Sequence, residues 1–513
     1  MRILTLVFVA LSAGLSGAVG VDFSIDAGPL RRELHSAGLG GQLTGPESAK
    51  IDELKPLNLW AARTHDWALT NPGQRILDTH FIFPLLHTDT EDPRNYFFGP
   101  TDEILEQTIE RLGIRVMYRL GTSIEVVNAR LDRSDPAKIV RPGYYNCVEP
   151  ADWDRYAAAL EHIIAHYTEG WANGRRWGRM MEYWELWNEA NSDPGQSWVP
   201  ADGDFDARRS RARFQKFFVH VLKRLKSRFP HLKFGGPAMC YVDEPFIRDT
   251  LAACKAEGYV PDFISWHNYG YRPSDMLSTP ARLRAICDEY GFTKAELHIN
   301  EWHYLPYKGF WGDQRPGVWR RQNDPENGLR SVESAVYTLQ VIAGLQETCL
   351  DHSYFYGCGQ DGSWGWGIRN PDESLSKVYH ALRLFGTVVG DCDRRVKTLD
   401  WNCEDPVQAY GYLSRAGRHR YLLVSRFKGG APEFSVTVKG LGNARCVSCR
   451  VLDRTHDFEE ILDPSAKDGP EGHVPFSPTV VRPAFRRKGD TFTFESWSPA
   501  SAAWLLVFDA GGK

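Results

Sequence analysis

Two Asn-Glu pairs carry the residue types that could do chemistry. Asn188-Glu189 closes the run MEYWELWNEAN from Met181 to Asn191, and Asn300-Glu301 lies inside ELHINEWHY from Glu296 to Tyr304. Two carboxyl groups facing one another suit the retaining cleavage of a glycosidic bond. One protonates the leaving oxygen and the other attacks the anomeric carbon, and for this they stand about 5 to 5.5 Å apart. The first has to hold a proton near neutral pH while the second stays ionised, a division that burial and neighbouring charge can impose. Glu185, on the same run as Glu189, reads instead as a buried structural acid or a salt-bridge partner.

Both pairs sit where alternating apolar runs give way to loop signals, as expected at the C-terminal ends of strands. Strand-like and helix-like stretches alternate along the chain. Ser36–Gly41, Leu57–Thr64, Arg115–Gly121, the run ending at Glu189, Lys233–Gly236, Asp262–His267, Glu296–Glu301 and His352–Gly357 read as strands. Pro46–Leu54, Asp102–Leu112, Asp152–Tyr167, the stripe from Phe214 to Leu225, Phe246–Glu257, Leu277–Tyr290, Gly328–Leu345 and Glu373–Phe385 read as helices. This alternation predicts an α/β fold, a (β/α)8 TIM barrel, with Glu189 on its fourth strand and Glu301 on its seventh. The active end of such a barrel is the C-terminal end of the strands. From about Asp393 short alternating runs such as Tyr421–Ser425, Phe434–Val438 and Trp504–Phe508, separated by Gly, Pro and Asn, predict a C-terminal β-sandwich. The expected division is 1–20 as an export signal, 21–392 as the barrel and 393–513 as the β-domain. The leading strand or hairpin at Asp22–Leu34 is open to joining either domain.

The 61 basic and 65 acidic residues are interspersed, with no basic stripe, which argues against nucleic acid as a partner. Arg2, the apolar run Ile3–Leu11 and Ala18-Val19-Gly20 form a signal-peptide pattern, so a secreted or periplasmic chain starting near Val21 is expected, with no membrane insertion afterwards. Ten cysteines are then free to pair, in a connectivity the sequence leaves open. Cys446-Val-Ser-Cys449 has no second pair at zinc-finger spacing and reads as a local bridge or two free thiols.

Taken together, Trp187-Asn188-Glu189-Ala190-Asn191, Gly235-Gly236-Pro237-Ala238, Ser265-Trp266-His267-Asn268-Tyr269 and Asn300-Glu301-Trp302 resemble the ordered signatures of glycoside hydrolase family 39. That family contains β-xylosidases and α-L-iduronidases, and the resemblance spans about Ser36 to Phe385. It implies Glu189 as acid/base, Glu301 as nucleophile and Asn188 as the partner of the sugar 2-hydroxyl. Arg63 would contact the nucleophile, and His65, His267, Tyr269 and Tyr307 would bind sugar hydroxyls or orient the nucleophile. Where Thr64 stands the family usually has a bulkier hydrophobe. Trp364 or Trp366 would offer a sugar-stacking face. The substrate implied is an oligo- or polysaccharide, with no cofactor and no metal.

Other motifs lead elsewhere only on paper. Gly357-Cys-Gly-Gln-Asp-Gly362 fits G-x-G-x-x-G, but Ser-Trp-Gly-Trp-Gly follows in place of a helix, so no dinucleotide phosphate finds a helix N-terminus there. No G-x-S-x-G occurs. His298 and His303 lack metalloprotease spacing and read as satisfied histidines. The resemblance implies a basic residue near the sixth-strand histidine in the iduronidase branch; Tyr269 stands two residues after His267 instead, which favours a neutral sugar such as xylose or arabinose, while Arg272 and Lys308 keep the uronic acid alternative in play. An arabinosidase or endo-acting relative and a non-catalytic carbohydrate-binding barrel are the remaining readings.

Overall fold

The computed structural model describes residues 19–38, 45–64, 79–121, 148–192, 206–310, 322–358, 366–428, 433–462, 484–488, 491–498 and 500–511, with single positions 198, 200, 313, 315 and 317. His65, Trp364, Cys147 and most of the signal-peptide pattern lie outside the described residues.

The strands, in order, are β1 Gly20–Pro29, β2 Ser36–Gly38, β3 Ala61–Arg63, β4 Arg115–Arg119, β5 Tyr183–Glu185, β6 Lys233–Met239, β7 Phe263–Gly270, β8 Glu296–Tyr304, β9 His352–Tyr356, β10 Cys392–Leu399, β11 Val407–Ser414, β12 His419–Arg426, β13 Glu433–Lys439, β14 Arg445–Leu452, β15 Asp457–Glu460, β16 Ala484–Lys488, β17 Thr491–Trp497 and β18 Ala502–Asp509. Strands β2 to β9 close into an eight-stranded parallel barrel in chain order, sealed where Ser36, Ala37 and Gly38 of β2 pair with Tyr354, Phe355 and Tyr356 of β9. Helices on the outside bury the strands on both faces, so they read as apolar runs.

The helices begin where short acceptor side chains can take up free amides. Asp152 caps Trp153–Thr168 at Arg155 N, Asp206 caps Ala207–Arg228, Asp243 caps Glu244–Ala256, and Ser331 and Ser376 cap Val332–Leu345 and Lys377–Asp391. Each such cap is worth about 1 kcal/mol. Two expected helices come out differently. Gly45–Leu57 is 3-10 in character, and Pro56 removes a donor from its last turn. The stretch expected at Asp102–Leu112 is an α-helix over Gly99–Glu106 that widens into a π turn over Gln107–Arg111.

The chain divides into two compact units. One holds the described residues up to Gly28 with Arg394–Val451 and Glu460–Lys513; the other holds Pro29–Asp393 and Leu452–Glu459. Of the two places open to the leading strand, β1 takes the β-unit, pairing in parallel with β13, Gly20 against Thr437 and Val21 against Val438. Val19 and Gly20, placed in the removed segment by the sequence, belong to this pairing: Val19 O accepts from Thr437 N at 3.0 Å. The β-unit is the expected β-sandwich in its core, where Val21, Val396, Leu422, Val438, Phe494 and Trp504 meet. Its strands form one continuous hydrogen-bonded order. The nine described cysteines, Cys446 and Cys449 included, are free thiols. Among the described residues no helix is long and apolar enough to cross a membrane.

Candidate active site

Strand β5 ends at Glu185, short of Asn188 and Glu189. Trp187 and Glu189 adopt left-handed backbone angles, with φ of 71° and 54°, and this breaks the alternation that the sequence predicts to continue. Such a conformation costs a non-glycine residue roughly 1–2 kcal/mol, so something must hold it. The Trp187 ring is fully buried 5.0 Å from Trp198 and 5.4 Å from Phe217, and Glu189 N donates to Ala238 O at 2.8 Å. Asn191 Oδ1 accepts from Cys240 N at 2.8 Å and ties the same turn to the end of β6. On its other side β6 lies tightly against β7, where Gly235 leaves the room: a Cβ there would lie 2.2 Å from Phe263 O.

Inside the barrel mouth the charged groups are layered. Arg63 from β3, Glu185 from β5 and Ser265 from β7 come from the second, fourth and sixth barrel strands, which share a layer. Arg63 lies 2.7 Å from Glu185 Oε2 through Nη2, 3.3 Å from Glu301 Oε2 through Nη1, and donates to Asn188 Oδ1 at 3.1 Å. Glu185, 0% exposed, also accepts from Ser265 Oγ and from Asn300 Nδ2. Burial works against the charge on Arg63, but Glu185 and Glu301 more than offset it, and its pKa is raised above the ordinary value. Arg119, at the end of β4, is pulled down to about 9, by burial first and then by Arg63. It remains a cation at neutral pH.

His267 lies between the two glutamates. Its Nδ1 is 2.7 Å from Glu189 Oε1 and its Nε2 is 3.5 Å from Glu301 Oε2. One donor atom from each of Glu189, His267 and Glu301 falls within 4.8 Å of the others. One oxygen of each carboxylate therefore lies within 4.8 Å of one on the other, well inside the roughly 6.5–9.5 Å of an inverting pair. The same three atoms could hold a cation, but here the Arg63 guanidinium already supplies positive charge to Glu301. Tyr269 donates its phenolic proton to Glu301 Oε1. Burial first, then the charge of Glu301, push that phenol well above its ordinary pKa, so it remains a donor. The two carboxylates differ in exposure: 22% of the Glu189 side chain meets solvent against 4% of Glu301.

Of the sequence-derived candidates, Glu189, Glu301, Asn188, Arg63, His267 and Tyr269 are brought together. Tyr307 is not joined to them by any contact found among the described residues; its hydroxyl binds Asp313, which also pairs with Arg315. His65 and Trp364 lie outside the described residues. Trp366 packs 5.5 Å from the Tyr269 ring and 5.1 Å from His303. Thr64 has a polar task, its Oγ1 accepting from Arg119 N at 2.8 Å, which a larger hydrophobe could not perform. The sequence assigns no individual role to Ser265, Asn300 or Arg119. Asn300 had a signal in the repeated Asn-Glu pair; Ser265 and Arg119 had none, because their partners are distant in sequence. Trp184, Trp187, Trp266 and Trp302 are fully buried and pack the barrel.

No protein-family model matches the chain. It is 28% identical over 179 residues to a β-xylosidase of Geobacillus stearothermophilus, an alignment covering 31% of this chain and 32% of that protein. The chain thus spans about a third of the length of this curated relative. Among solved structures it is similar to a glucosidase from Croceicoccus marinus, with TM-score 0.68 at 18% identity, covering 96% of this chain and 99% of the other. It is also similar to an α-L-arabinofuranosidase from Thermotoga maritima, with TM-score 0.59 at 13% identity and coverage of 96% and 99%. These likenesses show the fold, a barrel accompanied by a β-domain.

Proposed function

We propose that the chain is a retaining glycoside hydrolase of the family 39 kind, with Glu301 as nucleophile and Glu189 as acid/base. The observation that carries this is the approach of the two carboxylates to within 4.8 Å across His267. The partial identity with a β-xylosidase supports the same class. In the first step Glu301 attacks the anomeric carbon as Glu189 gives its proton to the departing oxygen, leaving a glycosyl ester on Glu301. In the second, Glu189, now a carboxylate, takes a proton from water; the water oxygen bonds to the anomeric carbon and Glu301 departs as carboxylate.

The surroundings divide the roles. Arg63 and Tyr269 place a cation and a hydroxyl proton on Glu301, which favours its ionised form. Glu189, more exposed and hydrogen-bonded to His267, is positioned to exchange protons with the leaving group and water. Asn188, oriented through Arg63, is offered to the sugar 2-hydroxyl, a contact that strengthens in the transition state. A neutral pentoside of the β-xyloside type is the proposed substrate, since Tyr269 is committed to Glu301 and Arg272 is paired with Asp275. The export-signal pattern accords with a glycan met outside the cytoplasm.

Hydrolysis of aryl xyloside, arabinosides, glucoside and iduronide by the wild type, Glu301→Ala and Glu189→Ala tests this. Cleavage of the xyloside that either substitution abolishes is expected. A folded wild type inert on the whole panel would sink the small-glycoside reading, and cleavage of iduronide alone would move the substrate to a uronic acid.

A further inference from the structure

A second cluster of ligand-type side chains lies at the opposite, N-terminal end of the barrel strands. Glu296 opens β8, His352 opens β9, and His298 stands directly across from His352 in the β8–β9 pairing. His298 Nε2 is 3.1 Å and His352 Nε2 3.6 Å from the same oxygen, Glu296 Oε2, and the three donor atoms lie within 4.8 Å of one another. Ligand atoms held about 2.0–2.2 Å from a tetrahedral zinc ion stand roughly 3.3–3.6 Å apart. The cluster therefore has the size of half a zinc shell or more, with no ion needed to explain why the side chains are rigid.

Rigidity comes from packing. The His298 ring stacks on Phe263 at 4.5 Å, and His352 is held between Trp60 at 5.0 Å and Tyr183 at 4.8 Å. What packing leaves unexplained is the polarity. His352, 4% exposed, makes no hydrogen bond among the described residues: its Nδ1 is buried without a partner, and 3.6 Å to Glu296 is beyond hydrogen-bond length. A buried imidazole nitrogen with no partner is costly, and a bound ion would relieve the cost at Nε2. Lys233 lies on the other carboxylate oxygen, Glu296 Oε1, at 2.6 Å and leaves Oε2 to the histidines, and Glu182, 3.5 Å from the same Lys233 Nζ, offsets the lysine's charge.

We infer that Glu296, His298 and His352 form a binding site for one divalent transition-metal ion of zinc-like preference at the floor of the barrel. The ion would join β8 to β9 across the seam, with Glu296 and His298 on one side and His352 on the other. Five residues along β8 separate Glu296 from Glu301, a rise of roughly 16 Å, and a buried apolar layer of Ala61, Met117, Tyr183, Phe263 and Tyr354 occupies the barrel interior. The site is thus distinct from the carboxylate pair and does not depend on the glycosidase reading.

Titration of chelator-stripped full chain with Co2+, read by visible absorption, tests the inference, with competition by Zn2+. One Co2+ per chain should bind with the intense absorption of a four- or five-coordinate site and be displaced by Zn2+. His352→Gln and Glu296→Gln should each lose this signal. Glu301→Gln, which alters the other Glu189, His267 and Glu301 group, should keep it. Because His298 is fully buried and its replacement could unfold the chain, His352→Gln and Glu296→Gln carry the test, each checked for native circular dichroism. Failure of the wild type to bind Co2+, or binding unchanged in both variants, overturns the site, as does loss in Glu301→Gln alone.

Discussion

Tyr269 gives its phenolic proton to Glu301 Oε1 while Arg63 meets the other oxygen, Oε2, of the same carboxylate. The nucleophile proposed for this chain is thus held from both sides. Replacing tyrosine by phenylalanine removes one side and leaves the ring packing against Trp366. A hydrogen bond to a charged group is worth about 1.5–3 kcal/mol, so Tyr269→Phe should lower kcat by about 10- to 100-fold. It should also raise the pKa on the acid limb of the kcat/KM profile, since the carboxylate loses a donor that favours its ionised form. Unaltered kinetics and an unmoved acid limb would count against the role given to Tyr269.

Arg63 and Glu185 should behave as a unit. Both are out of solvent, and removal of one partner of a buried pair costs about 3–5 kcal/mol because the other is left charged and unpaired. Arg63→Met should therefore destabilise the barrel by about that amount in denaturant unfolding. Arg63→Met combined with Glu185→Gln should recover part of the loss, giving a coupling energy of the same sign. Simple additivity would show that the pair is not acting as one.

Much of this arrangement is legible in the sequence and part of it is not, for a physical reason in each case. The barrel is visible because period-two and period-3.6 runs alternate and because Asp152, Asp206 and Asp243 stand where helices need caps. The two Asn-Glu pairs are visible because they end such runs. What local pattern hides is anything decided between strands. Ser265 reaches Glu185 across the barrel, β1 leaves the barrel to pair with β13, and Tyr307 turns to Asp313. His298 and His352 meet only through the β8–β9 register. The turn at Trp187 and Glu189 is hidden too, since neither residue type advertises a left-handed backbone.

Acid should weaken the fold in a defined window. His35 and His303 are buried and each is lowered to about 4 from 6.5, chiefly by burial. An unfolded chain takes up these protons as pH falls below 6.5, whereas the folded one resists until about 4. Stability is therefore intact above pH 6.5 and lost on the way down, by about 3 kcal/mol for each histidine. The urea midpoint should fall steeply over that interval, and His35→Gln should flatten the slope by one proton. A midpoint that stays level between pH 6.5 and 4 would contradict this.

Gly235 is required by space. With Phe263 O standing 2.2 Å from where a Cβ would be, Gly235→Ala must push β6 away from β7. A clash with backbone has no rotamer to relieve it, so about 3 kcal/mol or more of stability should be lost. Activity should fall with it, because Ala238 O on the same strand accepts from Glu189 N. Thermal unfolding and residual activity of the soluble fraction check both.

The central claim is that Glu189 and Glu301 act as a retaining pair, and the anomer released first reports on it most directly. Proton NMR of an aryl xyloside reaction, followed from its first minutes before mutarotation, should show the product with the anomeric configuration of the substrate. Release of the inverted anomer would mean that water, and not Glu301, attacks the sugar, and would contradict the account.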